Sequence, residues 1–158
     1  MKKSGFTLLE ISVVTILLGI LLALAMMAIM KGIRNSRIRN AEAELEILSA
    51  AVLQLAWDTG KWPNERPRTA GGSAEMWDIS GDNCGLLGNN GNYIHWKGPY
   101  YEGALRDPWG NRYFFDPDYR HREKDGTVRN AVVVGSFGPN GRGPNQYDSD
   151  DVYVLLDD

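Results

Sequence analysis

Two acidic features could bind a charged partner, and they lie near opposite ends of the chain: a single glutamate and a group of three aspartates. Glu10 interrupts an otherwise apolar run that extends from residue 6 to residue 30. Near the other end, Asp148, Asp150 and Asp151 fall within four residues, with Asn140 upstream. Glu10 would place a charge inside a membrane if the apolar run crosses one. The aspartates, in an acidic loop at residues 137–151, could bind a metal ion.

Glu10 is energetically unfavourable if its segment crosses a bilayer, because placing a carboxylate in hydrocarbon costs roughly a few kcal/mol of free energy. The run from residue 6 to residue 30 is long enough to cross, since about 20 apolar helical residues span a bilayer core. A secretory signal peptide would have a shorter apolar core and then a small-residue cleavage site. Glu10 could reach water at the headgroup boundary or pair with a cation on another copy. The residues alone leave both alternatives open.

The acidic loop has the oxygen ligands that calcium prefers, namely carboxylates, amides and backbone carbonyls. His and Cys are absent from residues 137–151, which disfavours zinc and copper. The loop does not follow the EF-hand pattern, in which spaced aspartates and a glycine precede a distal glutamate. On spacing alone, a simply solvated acidic loop is the favoured interpretation.

A second helical pattern continues beyond the apolar run. Apolar residues recur at alternating spacings of three and four, which is typical of one buried helix face: Ile38, Ala41, Leu45, Leu48, Val52 and Leu55. The helix should end near Asp58, because Thr59-Gly60 and then Pro63 follow. We therefore predict one helix from about residue 6 to about residue 58, roughly 80 Å long. Its first half (6–30) spans the membrane and its second half (31–58) is amphipathic.

The rest of the chain, residues 59–158, is predicted to be a globular domain of loops and strands. Three short runs rich in Val, Tyr or Phe have the composition of strands: residues 112–115, 131–137 and 152–156. We expect an exposed charged connection at residues 116–126 and a short helix at residues 74–79. The predicted fold class is α+β, with the long helix packed on a small antiparallel sheet.

Composition and motifs argue against several classes of function. The formal net charge is -3, whereas nucleic-acid binding usually needs a strongly basic face. Cys84 is the sole cysteine, so no intramolecular disulfide forms, and we expect it to be a small, partly buried hydrophobe. His95 and His121 lie in unrelated contexts, and no nucleophile elbow or phosphate loop is present. An enzyme is not predicted.

The start of the chain, KKSGFTLLE, resembles the leader and first residues of type IV pilins and type II secretion pseudopilins. The resemblance implies that residues 1–5 are a leader, that a prepilin peptidase cuts after Gly5, and that the new amine on Phe6 is methylated. It also implies that Glu10 neutralises the N-terminal ammonium of a neighbouring subunit during assembly. Such a role would supply the partner that an intramembrane carboxylate needs.

Three further stretches, AVLQLAWDTGKWP, KGPY and DPWGNRYFF, are similar to the major pseudopilins of type II secretion, the general secretion pathway protein G family. The resemblance implies a filament subunit that drives protein export across the outer membrane. Its expected partners are copies of itself, minor pseudopilins, an inner-membrane assembly platform and the peptidase. A minor or major type IV pilin, used in adhesion, motility or DNA uptake, is the alternative.

In the D-P-W-G motif, Pro108 and Gly110 suit a tight turn, and Trp109 is expected to anchor the helix–sheet core.

The same resemblance implies that the acidic loop binds calcium, because major pseudopilins do so in the matching loop. The implied ligands are the backbone carbonyl of Phe137 and the side chains of Asn140, Asp150 and Asp151, with Asp148 as an extra ligand. Asn140 departs from the family pattern, since an amide replaces a carboxylate there and removes one negative charge.

Orientation in the membrane is a point of conflict. Lys2 and Lys3 argue for a cytoplasmic N-terminus, but four basic residues follow the span and favour the reverse by charge count: Lys31, Arg34, Arg37 and Arg39. The resemblance implies a single-pass protein of the bacterial inner membrane, with its C-terminal domain in the periplasm.

Overall fold

The computed structural model describes residues 7–69, 72, 74–104 and 106–156. Within them the chain forms helix α1 (Leu8–Thr59), a 3₁₀ turn (Asp82–Cys84), and strands β1 (Tyr113–Arg122), β2 (Val128–Ser136) and β3 (Val152–Leu155). This order confirms the predicted α+β class. The chain divides into two units, residues 1–36 and residues 37–158, each of which is described by itself.

Up to Met30, the helix of the first unit is apolar on nearly all sides and none of its sides is buried. Its large side chains are exposed, for example Leu9, Leu17 and Met27. The helix contains a stretch long and apolar enough to cross a membrane. This confirms the predicted apolar segment, and such a surface needs a bilayer or another apolar surface to cover it.

The second unit begins with the amphipathic part of α1. Of the six residues predicted to form the apolar stripe, Ile38 is half-buried. The other five are buried: Ala41, Leu45, Leu48, Val52 and Leu55. The helix ends at Thr59 because Gly60 adopts a positive φ of 73° and donates its N–H to the carbonyl of Ala56 at 3.0 Å. The predicted end near Asp58 is therefore confirmed.

The three strands form an antiparallel sheet in the order β1-β2-β3. Side chains alternate between its two faces, as the period of two requires. One face joins the helix stripe in the main core through Tyr113, Phe115 and Val134. The other face forms a second cluster that is covered by side chains from loops and strand ends: Phe114, Tyr119, Ala131 and Val133, covered by Trp77, Phe137, Tyr147 and Tyr153.

Two local predictions are wrong. Strand β1 does not stop at Phe115 but continues to Arg122, through residues predicted to be an exposed connection. The charged residues of this segment are not typical of a strand. In the structure Asp116 and Tyr119 are nevertheless buried, and the register of β1 against β2 shifts between them at a bulge. The predicted helix at residues 74–79 is also absent, because Met76 is extended and pairs with Phe115 in an isolated antiparallel bridge.

The segment between Gly60 and the sheet is held by buried side chains. The hydroxyl of Tyr93 donates to the carbonyl of Pro63 at 2.7 Å. Cys84 is fully buried, and burial raises the pKa of its thiol to about 11. It is therefore an unreactive hydrophobe, as predicted.

Candidate functional site

The first candidate site is the beginning of α1. Thr7 and Glu10 form a capping box, in which Oε2 of Glu10 accepts both the N–H and the hydroxyl of Thr7, each at 2.8 Å. In return, the N–H of Glu10 donates to the Thr7 hydroxyl oxygen at 3.2 Å. The sequence analysis missed this arrangement, although T-x-x-E before an apolar run is its signature. No described residue donates a hydrogen bond to Oε1 of Glu10.

The predicted processing residues, Gly5 and Phe6, lie outside the described residues. The capping box begins with the residue that follows them, Thr7.

The second candidate site is built on the D-P-W-G turn. Asp107 is 5% exposed, and its carboxylate accepts four hydrogen bonds. The donors are the N–H of Trp109 at 3.0 Å, the N–H of Asn111 at 2.7 Å, the side-chain amide of Asn111 at 3.1 Å and the hydroxyl of Ser136. Because Ser136 is the last residue of β2, Asp107 joins the turn to the start of the acidic loop.

Trp109 does not have the predicted role. Neither buried cluster of the described residues contains it, and it is only half-buried. The core against the helix is filled instead by Tyr113 and Phe115, which lie just after the motif. The motif therefore acts through its buried carboxylate and not through its aromatic ring.

The acidic loop runs from Phe137 to Asp151, and its first residues are fixed in place. The ring of Phe137 stacks on Phe114 with centroids 4.6 Å apart. The carbonyl of Gly138 accepts the side-chain amide of Asn111 at 2.7 Å, and φ of Gly138 is 61°. A Cβ on Gly138 would lie 1.9 Å from the backbone oxygen of Asp150, so glycine is required where the two ends of the loop meet.

Hydrogen bonds connect four of the five predicted calcium ligands: Asn140, Asp148, Asp150 and Asp151. The side-chain amide of Asn140 donates to Oδ2 of Asp148 at 2.8 Å, and the N–H of Asp148 donates weakly to Oδ2 of Asp151 at 3.4 Å. Asp150 joins through its N–H, which donates to Oδ1 of Asp148 at 2.8 Å. Its carboxylate makes no hydrogen bond to any described residue.

Asp151 is the most constrained acid of the loop. Its Oδ2 accepts the hydroxyl of Tyr119 at 2.8 Å, whereas its Oδ1 is buried without a partner in the described part of the chain. Burial raises the pKa of Asp151 to about 6. A buried carboxylate oxygen that lacks a donor fits a cation, which would supply the missing positive charge.

The described residues also form an acidic cluster that the sequence analysis missed. Carboxylate oxygens of Glu75, Asp116 and Asp118 lie within 4.8 Å of one another. The signal was present as the pair of aspartates around Pro117, but the sequence analysis assigned that segment to an exposed connection.

Comparison with known proteins gives consistent results. Residues 1–26 match the model of the prokaryotic N-terminal methylation motif. The chain is 28% identical over 153 residues to the type II secretion system core protein G of Xanthomonas campestris pv. campestris, covering 96% of this chain and 90% of that protein. It is 30% identical over 113 residues to the protein of the same name from Pseudomonas aeruginosa, covering 71% of this chain and 72% of that protein. No solved structure is significantly similar to this chain. With a methylation motif at its start and a long apolar helix before a small sheet, the chain belongs to the type II secretion system core protein G family, the pilin-like major pseudopilins.

Proposed function

We propose that this chain is the shaft subunit of a type II secretion pseudopilus, which assembles through its N-terminal helix to drive protein export across the outer membrane. The observation that carries the proposal is the described part of the first unit. Up to Met30 this helix is apolar on nearly all sides, its large side chains are exposed, and Glu10 is its one acidic residue. Its function is structural and not catalytic.

An exposed apolar helix has two ways to leave water, and a pilin-like subunit uses both. Before assembly, the bilayer covers the helix, so the chain is anchored in the bacterial inner membrane in a single pass with residues 59–158 in the periplasm. After assembly, the helices of sister subunits cover it. In water each exposed apolar side chain would cost about 1.5–3 kcal/mol, so the helix is always covered. Because lipid is also apolar, side-chain packing and not further burial favours the array over the bilayer.

Glu10 makes that array specific. Its Oε2 is held by Thr7, and its Oε1 has no donor among the described residues. Cleavage after Gly5 by a prepilin peptidase would create an ammonium on Phe6, and methylation would keep that charge. We propose that a neighbour's ammonium binds Glu10, because a carboxylate away from water needs a counter-ion.

Pseudopilus formation in cells that express the full chain tests this role. Glu10→Ala is expected to abolish filaments while the protein remains in the membrane, and Glu46→Gln, an exposed acid on the same helix, is the matched control. Mass spectrometry of the wild-type protein should show a methylated Phe6 at the N-terminus. Normal filaments from Glu10→Ala, or a retained leader, would contradict the proposal.

We further propose that the loop of Phe137, Asn140, Asp148, Asp150 and Asp151 binds Ca²⁺. The support is the buried, unpartnered Oδ1 of Asp151 and the all-oxygen donor set. A bound cation would offset the repulsion among three aspartates and rigidify the loop. Calcium is expected to raise the melting temperature of the chelator-treated protein, and Asp150→Asn should reduce that rise while Asp125→Asn, in the β1–β2 turn, should not. Equal melting with calcium and with chelator would refute the site.

A type IV pilin used in adhesion, motility or DNA uptake is the competing function. The partners proposed for the pseudopilin are copies of itself, minor pseudopilins and the inner-membrane assembly platform, with no nucleic acid. Crosslinking and abundance measurements in the native cell would separate the two functions, because a shaft pseudopilin greatly outnumbers tip subunits and copurifies with secretion components.

A further inference from the structure

The acidic cluster of Glu75, Asp116 and Asp118 lies on a different set of residues from the 137–151 loop. One carboxylate oxygen from each residue lies within 4.8 Å of the other two. Asp116 is fully buried, and the other two residues are half-buried. Three acids this close repel one another strongly when they are ionised, more so in a partly dry environment.

Backbone pairing creates the cluster. Met76 and Phe115 exchange two backbone hydrogen bonds, each 2.8 Å long, in a narrow antiparallel bridge. In antiparallel pairing the residue before one partner lies opposite the residue after the other, which places Glu75 across from Asp116. The register shift of β1 then brings Asp118 back toward Asp116. Like charges directly opposite each other destabilise a sheet, so the arrangement requires compensation.

The protein supplies little of that compensation. Oδ1 of Asp116 accepts the N–H of Asp118 at 2.9 Å. Oδ2 of Asp116 and Oδ1 of Asp118 are both buried, and no described residue donates to either. Pro117, between them, has no N–H to offer. Glu75 makes no hydrogen bond or ion pair with any residue that the structure describes. Buried unpartnered carboxylate oxygens are costly, and a cation satisfies several of them at once.

We propose that Glu75, Asp116 and Asp118 bind a hard divalent cation of the calcium type, at a site separate from the 137–151 loop. Three carboxylates are the ligands that such a cation prefers, and water and backbone carbonyls ordinarily complete its coordination. The described members of the cluster are all oxygen donors, a set that suits calcium, magnesium or manganese better than zinc or copper.

A shared proton is the alternative way to relieve the same repulsion. Burial raises the pKa of Asp116, so this group holds a proton more readily than an ordinary aspartate does. A proton needs only two oxygens, however, whereas a cation uses Glu75 as well. The role of Glu75 in binding therefore distinguishes the two explanations.

The site gives the segment between helix and sheet a structural role. Glu75 belongs to that segment, and Asp116 and Asp118 belong to β1, so a cation joins the two. The neighbouring Trp77 lies on the second face of the sheet, 6.0 Å from the ring of Phe114. Cation binding would hold this covering layer in place. This inference does not depend on the proposed function in secretion.

Calcium titration of the full chain in detergent micelles, after treatment with chelator, tests the site. Isothermal calorimetry and thermal melting are compared for Glu75→Gln, Asp118→Asn and a control, Glu102→Gln, whose acid is exposed. All variants are made in the Asp150→Asn background, so that the 137–151 loop contributes less. The amides keep the shape and relieve repulsion, so the cluster variants should melt higher than the control in chelator.

With calcium, both cluster variants are expected to bind at least about tenfold more weakly than the control, since loss of even an outer-shell partner of a metal ligand costs about 10–100-fold in affinity. They should also lose most of the calcium-dependent rise in melting temperature. If Glu75→Gln binds calcium as the control does and only Asp118→Asn changes the melting temperature, the shared proton is the correct explanation. If neither variant changes calcium binding, the site does not exist.

Discussion

Replacement of Asp107 by Ala tests whether the D-P-W-G motif acts through its buried carboxylate. Asp107 accepts hydrogen bonds from the N–H groups of Trp109 and Asn111, the side-chain amide of Asn111 and the hydroxyl of Ser136. Asp107→Ala removes all four acceptor contacts and leaves the donors in place. Ser136 is fully buried, so its hydroxyl cannot turn to water instead.

The expected loss of stability follows from these contacts. A hydrogen bond to a charged acceptor contributes about 1.5–3 kcal/mol. The bonds from Ser136 and from the N–H of Asn111 are the least replaceable, and together they predict a loss of about 3–6 kcal/mol. For a unit of this size, each kcal/mol lowers the melting temperature by about 4 °C, so a fall of about 12–24 °C is expected.

The assay is thermal and urea unfolding of the full chain in detergent, with Glu102→Gln as the control for loss of an exposed acid. Because Asn111 also donates to the carbonyl of Gly138, the variant should in addition lose any calcium-dependent stabilisation of the 137–151 loop. A loss below about 1 kcal/mol would refute the reasoning, since that is the scale of one ordinary hydrogen bond. The motif would then be only a turn.

Three further predictions concern the second unit. Gly138→Ala should lower the melting temperature more than Gly126→Ala does: both glycines have positive φ, but a Cβ meets the backbone oxygen of Asp150 at 1.9 Å in the first case and nothing within 4 Å in the second. Equal shifts would mean that backbone strain alone matters. Leu48→Ala should cost about 2–5 kcal/mol in urea unfolding because Leu48 is 1% exposed, whereas Ile47→Ala, at 64% exposure, should cost little. Equal costs would contradict the assigned helix face. The hydrogen bond from Lys97 lowers the pKa of Asp58 below 3.8, so its stabilisation is present above pH 3.8 and is lost as pH falls through the lowered pKa. Asp58→Asn should lack this part of the acid-induced loss, and an unchanged pH profile would argue against the contact.

Much of the helix was predictable because its signals are local. The apolar run needs no partner to be recognised, and the spacing of Leu45, Leu48, Val52 and Leu55 follows directly from the helical repeat. Its end at Thr59 follows from the glycine and proline that come next. The capping box of Thr7 and Glu10 is equally local, and its signature was overlooked and not hidden.

The limits of β1 were less predictable because its second half carries charges. Residues 116–122 contain acidic and basic side chains, which in isolation indicate a loop. In the fold, their backbone pairs with β2, and the aromatic ring of Tyr119 packs among Phe114, Tyr147 and Tyr153. Pairing across the sheet outweighed local preference, as it commonly does in strands.

The sequence by itself determined the apolar helix, its amphipathic continuation and the positions of acids along the chain. Hydrophobicity and its periodicity can be recognised from residues that are close in sequence. Only the tertiary structure decided that Asp107 reaches Ser136 and that Glu75 faces Asp116. Those contacts depend on which distant strands pair and in what register, and a shift of one residue would turn each side chain to the opposite face.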